Sequence, residues 1–374
     1  MKHLPIGGST APRTLACPAW LPRSKDIPKS PAGPAADIGN LIHDVLENHY
    51  QHGTTLEAQI GVAKFNGHVF SEEHLELTNE CVQATETVLD QYDIEEITCE
   101  PFVQIIKDQV GGSIDLLGVS ADGKTVLVLD YKTGMGKVSA EDNKSILFYT
   151  LAASMDLTTA GFFKNATRFV SAIVQPKCYG TTADVWEFTK KELHEFEDLL
   201  MAAVDESQKA EPKAKTGKHC FYCPAAPFCV DKSRQAHSAM ILDTSNAAIL
   251  SEALELTDEL EAWIASTKKA ATELLKMGAA VPNYKLVPKR PTRKWGDAAA
   301  ATEYLKEHLG EDAFKTDLIT PPQAEKLLGK DRKAELAPFI KSVSSGNTLA
   351  KESDRRPAVE VAEISENILN LMGV

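Results

Sequence analysis

A chain of 374 residues, 43% hydrophobic and 25% charged, is globular and long enough for two domains or one elaborated one. Its formal net charge of −13 excludes nucleic-acid binding by bulk charge and leaves that role to local basic patches. No window approaches the ~18 apolar residues of a membrane span. The seven cysteines, an odd number, point to metal ligation in a reducing compartment rather than to a disulfide framework.

The opening MKHLPIGGSTAPRTLAC has no apolar h-region, so a cytosolic chain is expected despite a faint lipobox look at Leu15-Ala16-Cys17. Residues 1–36, rich in Pro, Gly and Ala, are expected to be mostly irregular, with Cys17-Pro18-Ala19-Trp20 as an island of interest. Residues 38–50 predict an amphipathic helix with Leu41, Val45 and Leu46 on one stripe and His43 among them. A lone helical histidine is ordinarily a surface or satisfied core residue. A second helix is expected over 71–89 and a strand over 97–107. Glu100 on that strand reads as a solvent-facing edge residue, with a place near a metal face as the weaker alternative. Cys81 and Cys99 lack partners at ligand spacing and read as small buried hydrophobes.

The stretch from Gly111 to Tyr149 organises the chain. Residues 113–119 and 125–131 predict two strands joined by an Asp122-Gly123 turn, a β-hairpin. Side chains alternate along a strand, so Asp130 and Lys132 share a face and Tyr131 takes the other. Pairing across the hairpin can bring Asp115 to the same face, where unpaired charge is expensive. Two aspartates and a nearby backbone carbonyl, that of Tyr131, suit Mg²⁺ or Mn²⁺ and leave room for water and a phosphate oxygen. Lys132 would position or activate the water and offset charge on phosphorus. The bland alternative is a structural Asp–Lys pair at a strand end, with Asp115 capping a turn.

Further on, residues 143–155 predict the helix bearing Tyr149, 168–175 and 181–188 strands, and 190–210 a helix. Cys178 reads as structural. Cys220-x2-Cys223-x5-Cys229 places three thiols within ten residues. Unoxidised thiols so placed seldom lack a metal, and Cys17 is the one cysteine with similar Cys-Pro surroundings to serve as a fourth ligand. Residues 247–277 predict a long helix. Residues 283–295 (NYKLVPKRPTRKW) carry Lys285, Lys289, Arg290, Arg293 and Lys294 with no acid. Interleaved with Tyr284 and Trp295, they fit a nucleic-acid strip in which rings meet bases; the alternative is an exposed basic hairpin without a partner. Small helices are expected over 297–309, 321–328 and 333–342.

Gly39-x3-His43-x2-Leu46-Glu47, Gly112-x2-Asp115, Asp130-Tyr131-Lys132-Thr133-Gly134 and the helix with Tyr149 together resemble the RecB-like nucleases of the PD-(D/E)XK superfamily. Ser145 stands where that family has a glutamine. The resemblance extends from Cys17 to about residue 359 and includes a phage and prophage family of unknown function, through Arg293-Lys294-Trp295, the run at 321–328 and Ser353-Asp354-Arg355-Arg356-Pro357. It implies an α/β fold: a restriction-endonuclease-like core, a mixed central sheet flanked by helices, with a cysteine-ligated staple. It divides the chain into a nuclease domain over 1–240 and a mostly helical extension over 241–374. His43, Asp115 and Asp130 would be metal ligands, with Lys132 and Tyr149 completing the catalytic set. Cys17, Cys220, Cys223 and Cys229 would hold a 4Fe–4S cluster, the rival being structural zinc through the same thiolates or with His219 replacing one. The implied activity is that of a Mg²⁺- or Mn²⁺-dependent deoxyribonuclease, an exonuclease rather than an endonuclease. It would act on linear or single-stranded DNA in the bacterial cytoplasm during phage recombination or replication, beside a phage single-strand annealing protein. The competing functions are a catalytically weak DNA-binding or assembly subunit that retains the fold, and a zinc-stabilised adaptor.

Overall fold

The computed structural model describes residues 4–27, 33–242, 249, 252–254, 256–314, 318–328, 332–344, 346–351 and 354–359. The chain separates into two compact units, residues 1–260 and 261–374.

The first unit is built on β7 (Thr125–Tyr131), all seven residues of which are buried. Its β-branched, apolar sequence suits a strand covered on both faces. Antiparallel to it runs β6 (Leu116–Ser120), the hairpin turn closing where Gly123 takes φ +71° and Asp122 accepts from Ser120 Oγ and the Lys124 N–H. Parallel to β7 on its other side runs β8 (Arg168–Val174). With β3 (Ile94–Cys99) and β9 (Ala183–Phe188) at the edges the order is β3-β6-β7-β8-β9, a mixed sheet.

Alternation along β7 sorts its side chains between two cores. Val126 and Val128 enter one with α6 (Lys144–Met155) and α8 (Lys190–Ser207). Leu127, Leu129 and Tyr131 enter the other with α3 (Pro34–His52) and α5 (Glu72–Gln91). The result is a mixed α/β protein, a central sheet flanked by helices. Each helix carries its own signals. Pro34 opens α3, and Gly53 in the left-handed region closes it. Asn143 caps α6 by accepting from the N–H groups of Ser145 and Ile146. Thr189 and Glu192 form a capping box on α8.

Residues 8–24 are not irregular. α1 (Ala11–Ala16) and α2 (Trp20–Ser24) pack into the first core, with Trp20 Nε1 donating to the buried Thr14 hydroxyl at 3.0 Å. Pro12 at a helix start, where its missing N–H costs nothing, is the physical reason a Pro-rich stretch can be helical. Ile6 bridges in parallel to Val110, adding to the edge of a two-stranded sheet of β4 (Phe102–Ile106) and β5 (Val110–Ser113). The predicted strand over 97–107 is therefore two strands broken at Glu100-Pro101, and the one over 113–119 is broken at Ile114-Asp115. Pro101 has no N–H to give a ladder, so the sheet hands over from β3/β6 to β4/β5 there.

After the cysteine loop, α9 (Val230–Met240) is fastened by a buried ion pair, Lys232 Nζ to Glu259 Oε2 at 2.8 Å. Lys232 is only 2% exposed. Glu259 lies on α10 (Thr257–Lys276), whose range covers part of the predicted 247–277 helix; residues 247, 248, 250, 251 and 255 of that prediction lie outside the described residues.

In the second unit β10 (Tyr284–Pro288) pairs with β13 (Asn347–Lys351), and β11 (Thr292–Trp295) pairs with β12 (Ile340–Val343). The basic strip thus supplies strands to two different sheets and is not a hairpin. Helices α11 (Ala298–Leu309) and α12 (Pro321–Leu328) and a 3₁₀ turn over Lys333–Phe339 close a small core around Leu305, Ala313, Ile319, Ala324 and Leu336. The predicted helix over 333–342 stops at Phe339, because Pro338 precludes continuation and residues 340–343 pair as a strand. Among the described residues no helix is long and apolar enough to cross a membrane.

Candidate metal centre

The strand break places two carboxylates opposite each other. The Glu100 N–H donates to the Asp115 carbonyl at 3.2 Å, and Ile114 N–H donates to Pro101 O at 3.2 Å. Glu100 holds φ +51°, an uncommon conformation for a residue with a side chain. Across from this break, α3 presents His43, its Nδ1 3.2 Å from Asp115 Oδ1 and misaligned for a hydrogen bond. Donor atoms of His43, Glu100 and Asp115 all lie within 4.8 Å of one another. Two of the three residues keep a buried polar atom without a hydrogen-bond partner: His43 Nδ1 and Glu100 Oε2.

Asp130 and Lys132 sit beside this set at the end of β7, joined in a direct ion pair. The intervening Tyr131 turns to the other face, its hydroxyl 3.1 Å from Thr85 Oγ1 on α5, while its N–H donates to Asp115 Oδ2 at 2.7 Å. Tyr149 on α6 is half-buried and close enough for Asp130, Asp115 and Glu100 to act on its hydroxyl, and desolvation pushes that phenol far up. Close packing of glycines explains the motif spacing. A Cβ on Gly8 would meet the Tyr149 ring at 2.3 Å, and one on Gly112 would touch it at 3.4 Å. A Cβ on Gly39 would lie 3.0 Å from Thr133 Oγ1, so this glycine lets α3 approach the end of β7.

The electrostatics follow from an excess of buried carboxylate. Burial, reinforced by Asp115, pushes Glu100 up to about 8. Burial also raises Asp130, Lys132 offsetting only part of the effect. Asp115 is drawn below the usual carboxylate range, because His43, Lys132 and the Tyr131 N–H outweigh its burial. Burial alone would lower His43 and Lys132, but Asp115 and Asp130 hold both up. Three carboxylates thus face two cationic groups in a site where uncompensated charge is costly. An imidazole and two carboxylates, with His43 Nδ1 and Glu100 Oε2 lacking hydrogen-bond partners, fit a divalent cation, and the imidazole tilts the set toward Mn²⁺ over Mg²⁺.

Glu100, expected at a solvent-facing edge, is instead a member of the half-buried three-residue set. The signal for it was Pro101: a carboxylate next to a residue that must interrupt the ladder sits at a break, not along an edge. Asp130 is not in that set, its carboxylate being engaged by Lys132.

The cysteines form a second cluster. Cys17, buried between α1 and α2, receives the Lys215 N–H at 3.5 Å and has His219 near enough to help draw its thiol down. Cys220 lies close enough to Cys17 and Cys223 to influence both electrostatically. Arg13, stacked over the Trp20 ring at 4.7 Å, places its guanidinium near Cys220 and Cys223; Arg23 Nη1 donates to Cys229 Sγ at 3.1 Å. Among the described residues no three of these sulfurs lie mutually within 4.8 Å. A tetrathiolate zinc site, with Zn–S about 2.3 Å, needs sulfurs about 3.8 Å apart.

The basic strip is only partly free. Lys289, Arg290 and Lys294 are exposed, and Lys341 stands opposite Lys294 on β12, while Lys285 is half-buried. Arg293 is ion-paired to Glu325. Trp295, expected to meet bases, instead packs on the core of the second unit and donates Nε1–H to Ile319 O at 3.1 Å. A tryptophan flanked by strand and helix apolars is drawn into the core by its area.

The family described as "Protein of unknown function (DUF2800)" matches residues 3–357, and the chain belongs to it. A solved structure described as "Crystal structure of SSO0001" is 11% identical, covering 59% of this chain and 96% of its own. Its TM-score of 0.22 is too low to carry an argument about fold.

Proposed function

We propose that this member of a family described without an activity is a divalent-metal-dependent DNA nuclease of the RecB-like PD-(D/E)XK type, acting as an exonuclease on linear or single-stranded DNA. The observation that carries the proposal is the half-buried set of His43, Glu100 and Asp115, in which His43 Nδ1 and Glu100 Oε2 lack hydrogen-bond partners, beside the Asp130–Lys132 pair. His43, Glu100 and Asp115 would hold the cation, with Asp130 joining when Lys132 swings away. A bound divalent cation would supply Lewis-acid polarisation of a phosphodiester at this site. Lys132, held in its charged form, donates hydrogen bonds: it orients a water and meets negative charge growing on the phosphate. Tyr149 remains a neutral phenol and a donor, wedged on Gly8 and Gly112 so that it keeps one direction.

The same proposal assigns Cys17, Cys220, Cys223 and Cys229 to a 4Fe–4S cluster, since thiolates beside two arginines offset the negative charge such a cluster carries. It would tie residues about 200 positions apart and remove that loop's closure entropy from the folded state's cost.

Digestion of linear, nicked and circular DNA with Mg²⁺ or Mn²⁺ tests the activity. Linear DNA should be degraded and closed circles spared, and Asp130→Asn should degrade nothing while still binding DNA. Equal digestion by the parent and Asp130→Asn would end the proposal. One observation favours a second reading, a DNA-binding subunit of weak catalysis: Asp130 is committed to Lys132 rather than to the three-residue set. That reading expects retained DNA binding and no metal-dependent digestion by the parent.

A further inference from the structure

The cysteine loop carries a surface that the metal centre does not use. From Pro212 to Val230 the sequence has three lysines, Lys213, Lys215 and Lys218, one histidine and no carboxylate, in a protein of net charge −13. All three lysines are exposed. So are three aromatic rings: Phe221 at 58%, Tyr222 at 75% and Phe228 at 46%. Rings of this size are ordinarily drawn inward, and a cluster of them left in solvent marks an interaction surface.

The rings stand on a braced loop. Phe221 and Tyr222 pack edge to face, centroids 4.6 Å apart. His219 Nε2 lies 2.8 Å from the Lys215 carbonyl, the Lys215 N–H reaches Cys17 Sγ, and the Cys223 N–H closes on Cys220 O at 3.1 Å. The neighbouring acids are already engaged: Glu206 by Lys209 and by the N–H of Lys213 within the stretch, Asp231 by Arg23 and Arg234. Glu211 adjoins the stretch as an exposed carboxylate.

We infer that this loop is a stacking platform for single-stranded DNA, with Phe221, Tyr222 and Phe228 taking bases and Lys213, Lys215 and Lys218 taking phosphates. Its relevance rests on the nuclease proposal. The chemistry selects single strands because exposed rings can stack only on bases that are unpaired, whereas a duplex offers them phosphate and sugar. Fixing the rings in advance lowers the ordering cost of binding.

The test uses the full chain carrying Asp130→Asn in EDTA, so that cleavage plays no part, with a fluorescent oligo-dT strand and a duplex of equal length as probes. Phe221→Ser/Tyr222→Ser should weaken oligo-dT binding about 5- to 100-fold per ring, leave its salt slope unchanged and spare the duplex. Lys213→Gln/Lys215→Gln/Lys218→Gln should reduce the single-strand salt slope by about two. Tyr222→Leu alone, at the most exposed ring, keeps an apolar side chain and guards against misfolding; it should still lose oligo-dT affinity. Unchanged oligo-dT affinity in Tyr222→Leu and the lysine triple would overturn the inference. So would concentration-dependent self-association of the parent that the ring variants abolish while oligo-dT affinity stays put, which assigns the surface to a second copy. A parent that cleaves no DNA yet binds oligo-dT through these rings defeats the nuclease proposal alone. A parent that cleaves but binds oligo-dT equally without them defeats this inference alone.

Discussion

Glu100 and Asp115 are joined through their backbones at 3.2 Å, at the one level where both β3/β4 and β5/β6 are interrupted. Their carboxylates are therefore held together by the fold itself, before any ligand arrives. Keeping two half-buried acids this close is unfavourable, and a divalent cation would relieve it.

That relationship sets a pH dependence. With Glu100 pushed up to about 8, the folded protein keeps a proton that the unfolded chain gives up near the ordinary carboxylate range. The unfolded state then binds fewer protons, so stability of the metal-free protein falls as pH rises through this window, between about pH 5 and pH 8. His43, also raised, adds a loss of the same sign above its ordinary range. Thermal melts in EDTA should show a declining Tm over that span, and Mn²⁺ should restore more at the alkaline end. Glu100→Gln should flatten the decline and weaken Mn²⁺ binding roughly tenfold or more, as loss of metal-site partners does. A Tm independent of pH in the parent would contradict this.

Lys132→Ala should slow DNA cleavage by roughly 10²–10³, the cost of removing one preorganised charge-stabilising group. Divalent-cation affinity should hold or rise, because a cation next to Asp130 and Asp115 is gone. Single-turnover cleavage and isothermal titration with Mn²⁺ separate the two effects. Loss of both together would mean that Lys132 holds the site's shape rather than serving its chemistry.

Gly8→Ala drives a methyl into the Tyr149 ring, with a first contact of 2.3 Å. Overpacking of this kind costs about 1–3 kcal/mol. Gly112→Ala, whose added atom would make ordinary contact at 3.4 Å, should cost much less on this account. Chemical denaturation of the two variants checks the order.

Protein purified without air should be brown and carry about four irons per chain. Cys17→Ala and Cys223→Ala should each lose the colour and much of the soluble yield. Stoichiometric zinc without iron, from iron-replete cells, would replace the cluster by the tetrathiolate alternative.

The basic strip should yield less than its composition suggests. With Arg293 tied to Glu325, changing Lys289, Arg290, Arg293 and Lys294 together to Ala should lower the duplex salt slope by about two to three rather than four. A full loss of four would show that DNA displaces Glu325.

Much of the first unit could be read from sequence because its signals are local. The apolar run of β7, the Asp122-Gly123 turn and the Asn143 cap each specify their own element. Asp115, Asp130 and Lys132 fell on one face by strand alternation and hairpin pairing, whereas His43 was placed with them only through the family resemblance. Glu100 did not, because a strand drawn through Pro101 sends its side chain to the edge, and only the break turns it inward. Trp295 misled for the opposite reason: among lysines and arginines it resembles a ring offered to bases, but Ile319, 24 positions on, supplies a carbonyl and a core. Non-local partners of that kind leave no trace in spacing. Residues 8–24 show the same limit, since their helices are short and take their stability from packing under α6 and α8.

Cys17 waits for its partners during synthesis. Its neighbours Lys215 and Cys220 are translated about 200 residues later, which at 5–20 residues per second is about 10–40 s. Ile6 reaches its strand partner Val110 only after β4 and β5 exist. Through that interval the segment that carries Cys17 lacks the α6 and α8 surfaces on which its helices pack. The segment that carries Cys17 is therefore made long before the elements that seat it, and under the proposed cluster assignment iron and sulfide would enter a chain already folded around β7.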